Sequence, residues 1–398
     1  SALVFVVVAA VLIPWHWLPG QHVHAVPARS VFTAAQIAHD QHVAWLFRLP
    51  AWGNLALSML VALVLGLTRW GGRFVSLLPG RWWVQVLLGT GVLTLLGVLV
   101  QLPLNIRSQH VELTTGLSTE AWGSWVSDQA TSFGVDWVFT AVPVLGLMVL
   151  ARKAPRTWPA WAAAGAVVLA MVGSFVYPVA VEPLFNNFTP LAAGPVRTEI
   201  FALAKAEHVH ISDVLVADAS RRTTTLNAYV SGFGSTRRVV IYDTVLKSLT
   251  KPEIASIVAH ELGHAKHNDV LVGTILGAVG GGFGIGLLGL LFNSGWLLRR
   301  AGTSSAGDPR SVALLLALVA VGSFLVSPIE NTMSRAVEAR ADLASLRTTN
   351  DPATFIEMQR LLSLRALAAP SPPAISQFWF GSHPTVLQRI GMARQFDR

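Results

Sequence analysis

The chain of 398 residues contains no cysteine, and this absence removes several kinds of chemistry at once. Disulfide bonds, metal sites with thiolate ligands and cysteine nucleophiles are all excluded. Charge is also scarce: Asp, Glu, Lys and Arg make up 13% of the residues, whereas soluble domains carry about 25%. Hydrophobic residues account for 53%, and the mean hydropathy is +0.54. Lipid is therefore the expected solvent for much of the chain.

Long apolar runs recur along the sequence, and a membrane-spanning helix needs about 20 such residues. The run at 2–18 lacks the basic start and the small-residue cleavage site of a signal peptide, so we interpret it as a span. In a later run, Gly277 and Gly281 have the spacing that lets helices approach closely. We predict a mainly α fold, a polytopic membrane bundle of about seven helices. The predicted spans are 2–18, 51–68, 82–102, 134–151, 157–181, 270–292 and 311–329.

Two polar regions interrupt the spans and divide the chain into four parts. We expect a membrane bundle at 1–181, a polar part at 182–269, two spans at 270–329 and C-terminal helices at 330–398. The first polar part contains a predicted hairpin, with strands at 226–230 and 237–242. Further on, Thr250-Lys251-Pro252-Glu253 forms a capping box with proline in the first turn. A helix should therefore begin there and run through residue 264.

The segment His260-Glu261-Leu262-Gly263-His264 is the most informative motif of the chain. On a helix, residues i and i+4 share a face, so both imidazoles can reach one ion. Glu261 is offset by one residue and can face water at that ion. This is the pattern of zinc proteases. Two ordinary histidines on an amphipathic helix are the competing interpretation, and chance would produce the pattern in roughly one such chain in a hundred.

A catalytic zinc ion takes three protein ligands and leaves one position for water. Glu338, on a helix predicted just after the last span, is the best candidate for the third ligand. Asp342 lies one turn further on the same face, where a carboxylate can fix the tautomer of a ligand histidine. From periodicity alone, an ordinary solvated helix explains these two acids equally well.

Several motifs in combination resemble the type 1 CAAX prenyl protease family, which comprises seven-span zinc metallopeptidases of the gluzincin class, and its bacterial relatives. The motifs are residues 32–37, 183–191, 227–229, 232–233 and 239–246, Ser334-Arg335 with Glu338 and Asp342, and His383-Pro384 with Arg389. The resemblance implies one Zn²⁺ per chain, held by His260, His264 and Glu338, with Asp342 as a hydrogen-bond partner of the ligands. It also implies a zincin-like α+β part and spans that enclose a chamber.

The resemblance implies further roles around the metal. His383 and Arg389 would lie near the zinc and stabilise the oxyanion, and Asn227 would contact the substrate backbone or the same oxyanion. The edge of the hairpin would pair with an extended peptide, a common mode of peptide recognition. The expected activity is that of a zinc endopeptidase with Glu261 as general base. Its substrate would be a peptide or protein, either unfolded or lipid-modified as at a prenylated C-a-a-X terminus.

Two other functions compete with this one. A transporter or channel would suit a polytopic chain, but it leaves the zinc motif unexplained, and the spans carry few charges that could mark an ion path. A catalytically inactive scaffold is disfavoured by the intact Glu261. Nucleic acid is not an expected partner despite the net charge of +8, because no basic run stands beside a recognition motif. Membrane lipid is the expected surrounding.

Two arguments predict opposite orientations of the protein in the membrane. Basic residues cluster in three loops that should share one side of the bundle, namely Arg69, Arg73 and Arg81; Arg152, Lys153 and Arg156; and Arg299, Arg300 and Arg310. The positive-inside rule places these loops in the cytoplasm and the zinc site opposite. The resemblance implies a cytoplasmic zinc site, because C-a-a-X processing occurs on the cytosolic side. We expect a multi-pass membrane protein with a cytoplasmic catalytic side, against the charge pattern.

Overall fold

Helices dominate the computed structural model, which describes residues 2–18, 22–232 and 234–396. The helices are α1 (Ala2–Leu12), α2 (Ala34–Leu67), α3 (Arg69–Ser76), α4 (Trp82–Thr115), α5 (Trp122–Lys153), α6 (Trp158–Val176), α7 (Glu182–Phe185), α8 (Pro195–Ala206), α9 (Asp243–Ser248), α10 (Lys251–Lys266), α11 (Asp269–Leu291), α12 (Gly295–Ala301), α13 (Val312–Thr349), α14 (Pro352–Arg365), α15 (Ala374–Phe380) and α16 (Val386–Phe396). The strands are β1 (Phe188–Pro190), β2 (Asp213–Ala217), β3 (Ala228–Ser231) and β4 (Arg238–Tyr242).

Five of the described helices are long and apolar enough to cross a membrane. They are α2, α4, α5, α11 and the helix that begins with a turn at Pro309 and continues as α13. A sixth span results if Trp158–Ser174 and Tyr177–Phe185, bent by 46° at a short break, are counted as one. The predicted class, a mainly helical membrane bundle, is confirmed. The number of spans in the described residues is five or six instead of about seven.

The first predicted span, 2–18, extends too far, because α1 ends at Leu12. Pro14 accounts for the early end. A proline disfavours the helical conformation of the residue before it, so the chain leaves the helix near Ile13.

Three spanning helices continue well beyond their predicted apolar segments. The helix α2 begins at Ala34 instead of 51, α4 continues to Thr115, and α13 continues unbroken from 329 to Thr349. The polar extension of α13, residues 330–349, is about 30 Å long at 1.5 Å per residue. It carries Glu338 and Asp342, so one rigid helix connects these carboxylates to the membrane.

The polar part between the bent span and α11 contains a small four-stranded sheet with the order β1-β2-β4-β3. The strands β2 and β4 run parallel, whereas β3 pairs with β4 antiparallel, with Tyr229 opposite Val240. The predicted hairpin is therefore confirmed, but it is one edge of a larger sheet. Phe233, at the tip of the connecting loop, lies outside the described residues. The strand β3 has no neighbour on its outer side among the described strands.

The helix α10 lies at the centre of the buried core of this part. Its side chains pack between the sheet, α8 and α13, and Val258, Ala259 and Leu262 are completely buried. Burial of one Val or Leu side chain contributes about 1.5–3 kcal/mol. The core therefore fixes the position of α10 on several sides.

The glycine spacing in α11 does not correspond to a close helix contact. A Cβ atom added at Gly277 or Gly281 would meet nothing within 4 Å. The close approach of α11 to α6 lies near the other end of the helix. There a Cβ atom on Gly289 would lie 2.6 Å from Pro159.

Candidate metal centre

The helix that carries the motif begins where the capping box predicts. The carboxylate of Glu253 accepts hydrogen bonds from the backbone N–H and the hydroxyl of Thr250, at 2.7 and 2.8 Å. Pro252 occupies the first turn, where its missing N–H is not needed. The predicted helix is confirmed, and it ends at Lys266.

Three side chains bring potential ligand atoms together between α10 and α13. His260 Nε2 lies 3.1 Å from His264 Nε2 and 3.3 Å from Glu338 Oε2. His264 Nε2 lies 3.6 Å from Glu338 Oε1. A tetrahedral ion bound at about 2.0–2.1 Å holds its ligand atoms about 3.3 Å apart. The three separations match that value, so the donor set fits a divalent ion of this size.

The carboxylate of Glu338 provides a second test of the fit. Its Oε2 atom is buried and makes no hydrogen bond in the described structure. A buried acceptor without a partner costs about 1–3 kcal/mol. A cation between the three side chains would remove this cost, so the residues present are consistent with a metal site.

His260 is oriented by the carboxylate of Asp342 on its other ring nitrogen. Asp342 Oδ1 lies 2.9 Å from His260 Nδ1, and the aspartate is completely buried. Burial alone lowers the pKa of His260, but its contacts with the carboxylates of Asp342 and Glu338 raise it to about 10. With its Nδ1 proton held by Asp342, the imidazole presents Nε2 to the ligand cluster.

Glu261 follows His260 on α10 and lies close to the cluster. Burial raises the pKa of its carboxyl group, and the nearby Glu338 adds to this effect. The charges of His260 and His264 act in the opposite direction, but the net shift is upward. A carboxylate with a raised pKa is the type of group that can exchange a proton during hydrolysis.

His383 lies at the open side of the cluster. Its Nε2 atom is 3.3 Å from Glu338 Oε2, and more than half of the side chain is exposed. Ser382 Oγ lies 2.9 Å from its Nδ1 atom. Partial burial of the imidazole lowers the pKa of His383, the nearby Arg389 and His260 lower it further, and Glu338 offsets these effects only in part. The imidazole is therefore expected to be neutral at pH 7.

Arg389 contacts Asp342 and also lies beside His260, with its Nη2 atom 3.5 Å from His260 Nδ1. Its Nε atom donates to Asp342 Oδ2 at 2.8 Å, and Nη2 donates to Oδ1. With the amide of Gln359 oriented by its hydrogen bonds, the amide oxygen accepts from Nη2 and Nε of Arg389 at 3.0 and 3.2 Å. These contacts join Arg389 to Asp342 and His260, and its expected contact with an oxyanion stays a prediction.

Asn227 is exposed at the start of the edge strand β3. Its backbone carbonyl accepts a hydrogen bond from the N–H of Tyr242 at 3.0 Å. No described contact joins its side chain to the metal cluster. Its role in substrate binding therefore stays a prediction.

Comparison with known proteins identifies the family. Residues 190–396, just over half of the chain, match the sequence model of peptidase family M48. The chain belongs to peptidase family M48. Residues 46–187 match a second model, described as "CAAX prenyl protease N-terminal, five membrane helices". The chain is therefore a multi-pass membrane metallopeptidase.

Relatives of this M48 peptidase occur in bacteria and eukaryotes. "Uncharacterized metalloprotease YhfN" of Bacillus subtilis is 31% identical over 309 residues, covering 76% of this chain and 72% of the relative. "Probable CAAX prenyl protease 1" of Schizosaccharomyces pombe is 30% identical and is matched over 53% of its own length. The crystal structure of S. mikatae Ste24p has the same fold, with a TM-score of 0.82, 19% identity and coverage of 98% of this chain and 96% of that chain.

Two residues of the M48 peptidase beside the ligand cluster were missed in the sequence. His264 Nδ1 lies 2.8 Å from Asp269 Oδ2, and Arg340 donates to the other oxygen of Asp269. Asp269 follows His264 by five residues, and residues five apart are not neighbours on the surface of a continuous helix. The only signal was the polar stretch from His267 to Asp269, which interrupts two helical patterns.

Proposed function

We propose that this membrane peptidase is a zinc-dependent endopeptidase, with the ion held by His260, His264 and Glu338. The observation that supports this best is the mutual separation of the three ligand atoms, 3.1 to 3.6 Å. Two imidazoles and one carboxylate, with one position left open, are a known ligand set of catalytic zinc. When bound, zinc supplies Lewis-acid chemistry, since it acidifies water and polarises a carbonyl group.

Glu261 is the proposed general base. Its carboxylate takes a proton from the attacking water and holds that proton until the amine leaves. Its carboxyl group then protonates the nitrogen of the leaving amine. Since the same group accepts and returns the proton, the residue is regenerated after each turnover.

His383 is the proposed donor to the carbonyl oxygen as negative charge develops there. With Nδ1 accepting from the Ser382 hydroxyl, Nε2 carries the proton and can donate it in a hydrogen bond. Asp342, backed by Arg389, keeps His260 in the tautomer that presents Nε2. We assign Arg389 this supporting role in preference to direct contact with the oxyanion.

The edge strand β3 is the proposed binding site for an extended substrate. A peptide can add to a free sheet edge through main-chain hydrogen bonds, and the side-chain pockets then give specificity. The strand packs against α10, so a peptide along it would approach the ligand cluster. Asn227, exposed at the start of β3, is the proposed contact for the peptide backbone or the oxyanion.

The natural substrate is proposed to be a segment of an unfolded or lipid-modified protein, held in a chamber between the spans. Relatives named CAAX prenyl protease 1 support a lipid-modified terminus, although the chain spans about half the length of the one from S. pombe. Matched peptides with and without a prenyl group provide the test. A higher kcat/KM for the lipidated peptide is expected, and equal values would remove the lipid from the proposal.

We propose a cytoplasmic metal site, following the CAAX relatives. The basic loops lie at the opposite end of the bundle and contact one another, since Arg152 donates to the carbonyl of Gly307 at 2.8 Å and Gly302 packs beside Arg69. The positive-inside rule would place that end in the cytoplasm. Labelling of single cysteines from each side of the membrane tests the proposed orientation.

The enzymatic proposal is tested by comparing wild type with Glu261→Gln in purified membranes. Wild type should hydrolyse an unfolded protein, a chelator should stop the reaction, and the variant should bind zinc without hydrolysis. A fully active variant, with contaminating proteases excluded, would refute the assignment of Glu261. A transporter would show transport without hydrolysis, and an inactive scaffold would show neither.

A further inference from the structure

His264 is held by a pair of residues that the proposed mechanism does not use. Asp269 Oδ2 lies 2.8 Å from His264 Nδ1, and Arg340 Nη2 donates to Asp269 Oδ1. The aspartate side chain is 9% exposed and the arginine side chain 22%. The pair is therefore shielded from water. A charge-assisted contact keeps its geometry better in such a shielded site than on an open surface.

The arrangement repeats the one around the other histidine. His260 Nδ1 contacts Asp342, and Asp342 is held by Arg389. In both cases an arginine fixes an aspartate, and the aspartate occupies Nδ1 of a histidine. Each imidazole consequently keeps its proton on Nδ1 and turns Nε2 toward the cluster, where the two Nε2 atoms lie 3.1 Å apart.

A special backbone conformation makes the contact to Asp269 possible. Residues five apart on a continuous helix differ by about 140° in rotation, so Asp269 could not face His264 if α10 continued. Asn268, between α10 and α11, has a φ of 53°, a left-handed conformation that asparagine tolerates well. Arg237 donates to the side-chain oxygen of Asn268 at 2.7 Å. The resulting turn brings the first residue of α11 back toward His264.

We propose that Asp269, fixed by Arg340, is a positioning residue that orients His264 for metal binding. The inference rests on the proposed function only in that the cluster binds a metal ion. Asp269 is the first residue of the spanning helix α11, and Arg340 lies on the extension of α13. Loss of the pair should therefore weaken metal binding without changing how the peptide binds.

The test compares Asp269→Asn, Asp269→Ala and Arg340→Gln with wild type, using the full chain in detergent. The metal dissociation constant is measured by competition with a chromogenic chelator, first with zinc and then with cobalt. Loss of such a partner typically weakens metal binding 10–100-fold. We expect that loss for Asp269→Ala, and smaller losses for Asp269→Asn, whose oxygen still accepts from Nδ1, and for Arg340→Gln. The visible spectrum of bound cobalt should shift, whereas KM for a peptide should not.

Asp308→Asn is the matched control, because it breaks another aspartate–arginine contact, to Arg310, in the loop before α13. It should leave the metal dissociation constant and the cobalt spectrum unchanged. If it weakened metal binding as much as Asp269→Ala, the effect would be one of general stability and the inference would be overturned. If Asp269→Ala does not fold, the isosteric Asp269→Asn and Arg340→Gln decide the question by the same spectrum.

The outcomes also separate this inference from the proposed function. If wild type bound no metal, the proposed function would fail first. If wild type bound metal tightly, and Asp269→Ala and Arg340→Gln bound it equally tightly with an unchanged cobalt spectrum, only the role of Asp269 would be refuted.

Discussion

Replacement of Asp342 by alanine should lower the stability of the folded protein. The change removes the acceptor for His260 Nδ1 and the anion paired with Arg389. The arginine side chain is only 13% exposed, so its charge would be left buried without a partner. Loss of one member of a buried ion pair typically costs about 3–5 kcal/mol. Because Gln359 also contacts the guanidinium, we expect the lower end of that range, about 3 kcal/mol.

The assay is a double-mutant cycle on metal-free protein in detergent. Wild type, Asp342→Ala, Arg389→Ala and the double variant are heated while the fluorescence of the 14 tryptophans is followed. Each single variant should melt well below wild type. The double variant should be less unstable than the sum of both effects, because it leaves no unpaired charge. Independent sites add within about 0.5 kcal/mol, so additive shifts would refute the coupling and with it the supporting role of Arg389.

Three further results are expected. Burial lowers the pKa of His260, but Asp342 and Glu338 raise it to about 10, so metal must displace a proton. Affinity should rise about tenfold per pH unit between about pH 6 and 9, and a flat profile by chelator competition would contradict this. Gly263→Ala places a Cβ atom 2.9 Å from that of Ala344, so thermal unfolding should show a stability lower by about 1–3 kcal/mol. Gly277→Ala, whose Cβ atom meets nothing within 4 Å, should not show this loss. Because the chain has no cysteine, single cysteines introduced as Ser371→Cys and Ser305→Cys can report its orientation in the membrane. An impermeant maleimide should label Ser371→Cys only in inverted vesicles and Ser305→Cys only in intact cells. The reverse labelling would place the metal site outside the cell.

The same His260 pKa sets a trend for the metal-free protein. The pKa in the folded state lies above the unfolded value of 6.5. The group therefore contributes its full stabilisation below about pH 6.5, and this stabilisation is lost as the pH rises toward 10. Metal and proton compete for the same nitrogen, so the trend should disappear when the metal is bound.

The sequence predicts well those elements whose signals are local. The capping box at Thr250 marks the start of α10, and the two histidines four residues apart share its face in the structure. The hairpin of β3 and β4 was visible from its strand pattern. In each case the residues that form the element stand next to one another in the chain, so periodicity and turn chemistry are sufficient.

The remainder depends on contacts between distant segments, which periodicity does not encode. The strand β2 pairs with β4 in parallel, across about 20 intervening residues, and such a pairing leaves no local pattern. Asp269 reaches His264 only because Asn268 adopts a positive φ. Hydropathy located the spans but placed the end of α1 too late, because Pro14 ends that helix inside an apolar run.

The predicted boundaries at 269/270 and 329/330 separate the polar parts of the chain from its membrane-spanning parts. The residues of the metal site come from both sides of each boundary. The polar part 182–269 contains His260, His264 and Asp269 but lacks Glu338, which stands on a helix that begins inside the membrane segment. Two imidazoles alone do not make the three-ligand set of catalytic zinc. The extension of α13 also supplies Asp342 and Arg340, so both aspartate–arginine pairs depend on it. Correct packing of a spanning helix is therefore a condition for assembling the site, and the membrane bundle is part of the catalytic structure as well as its anchor.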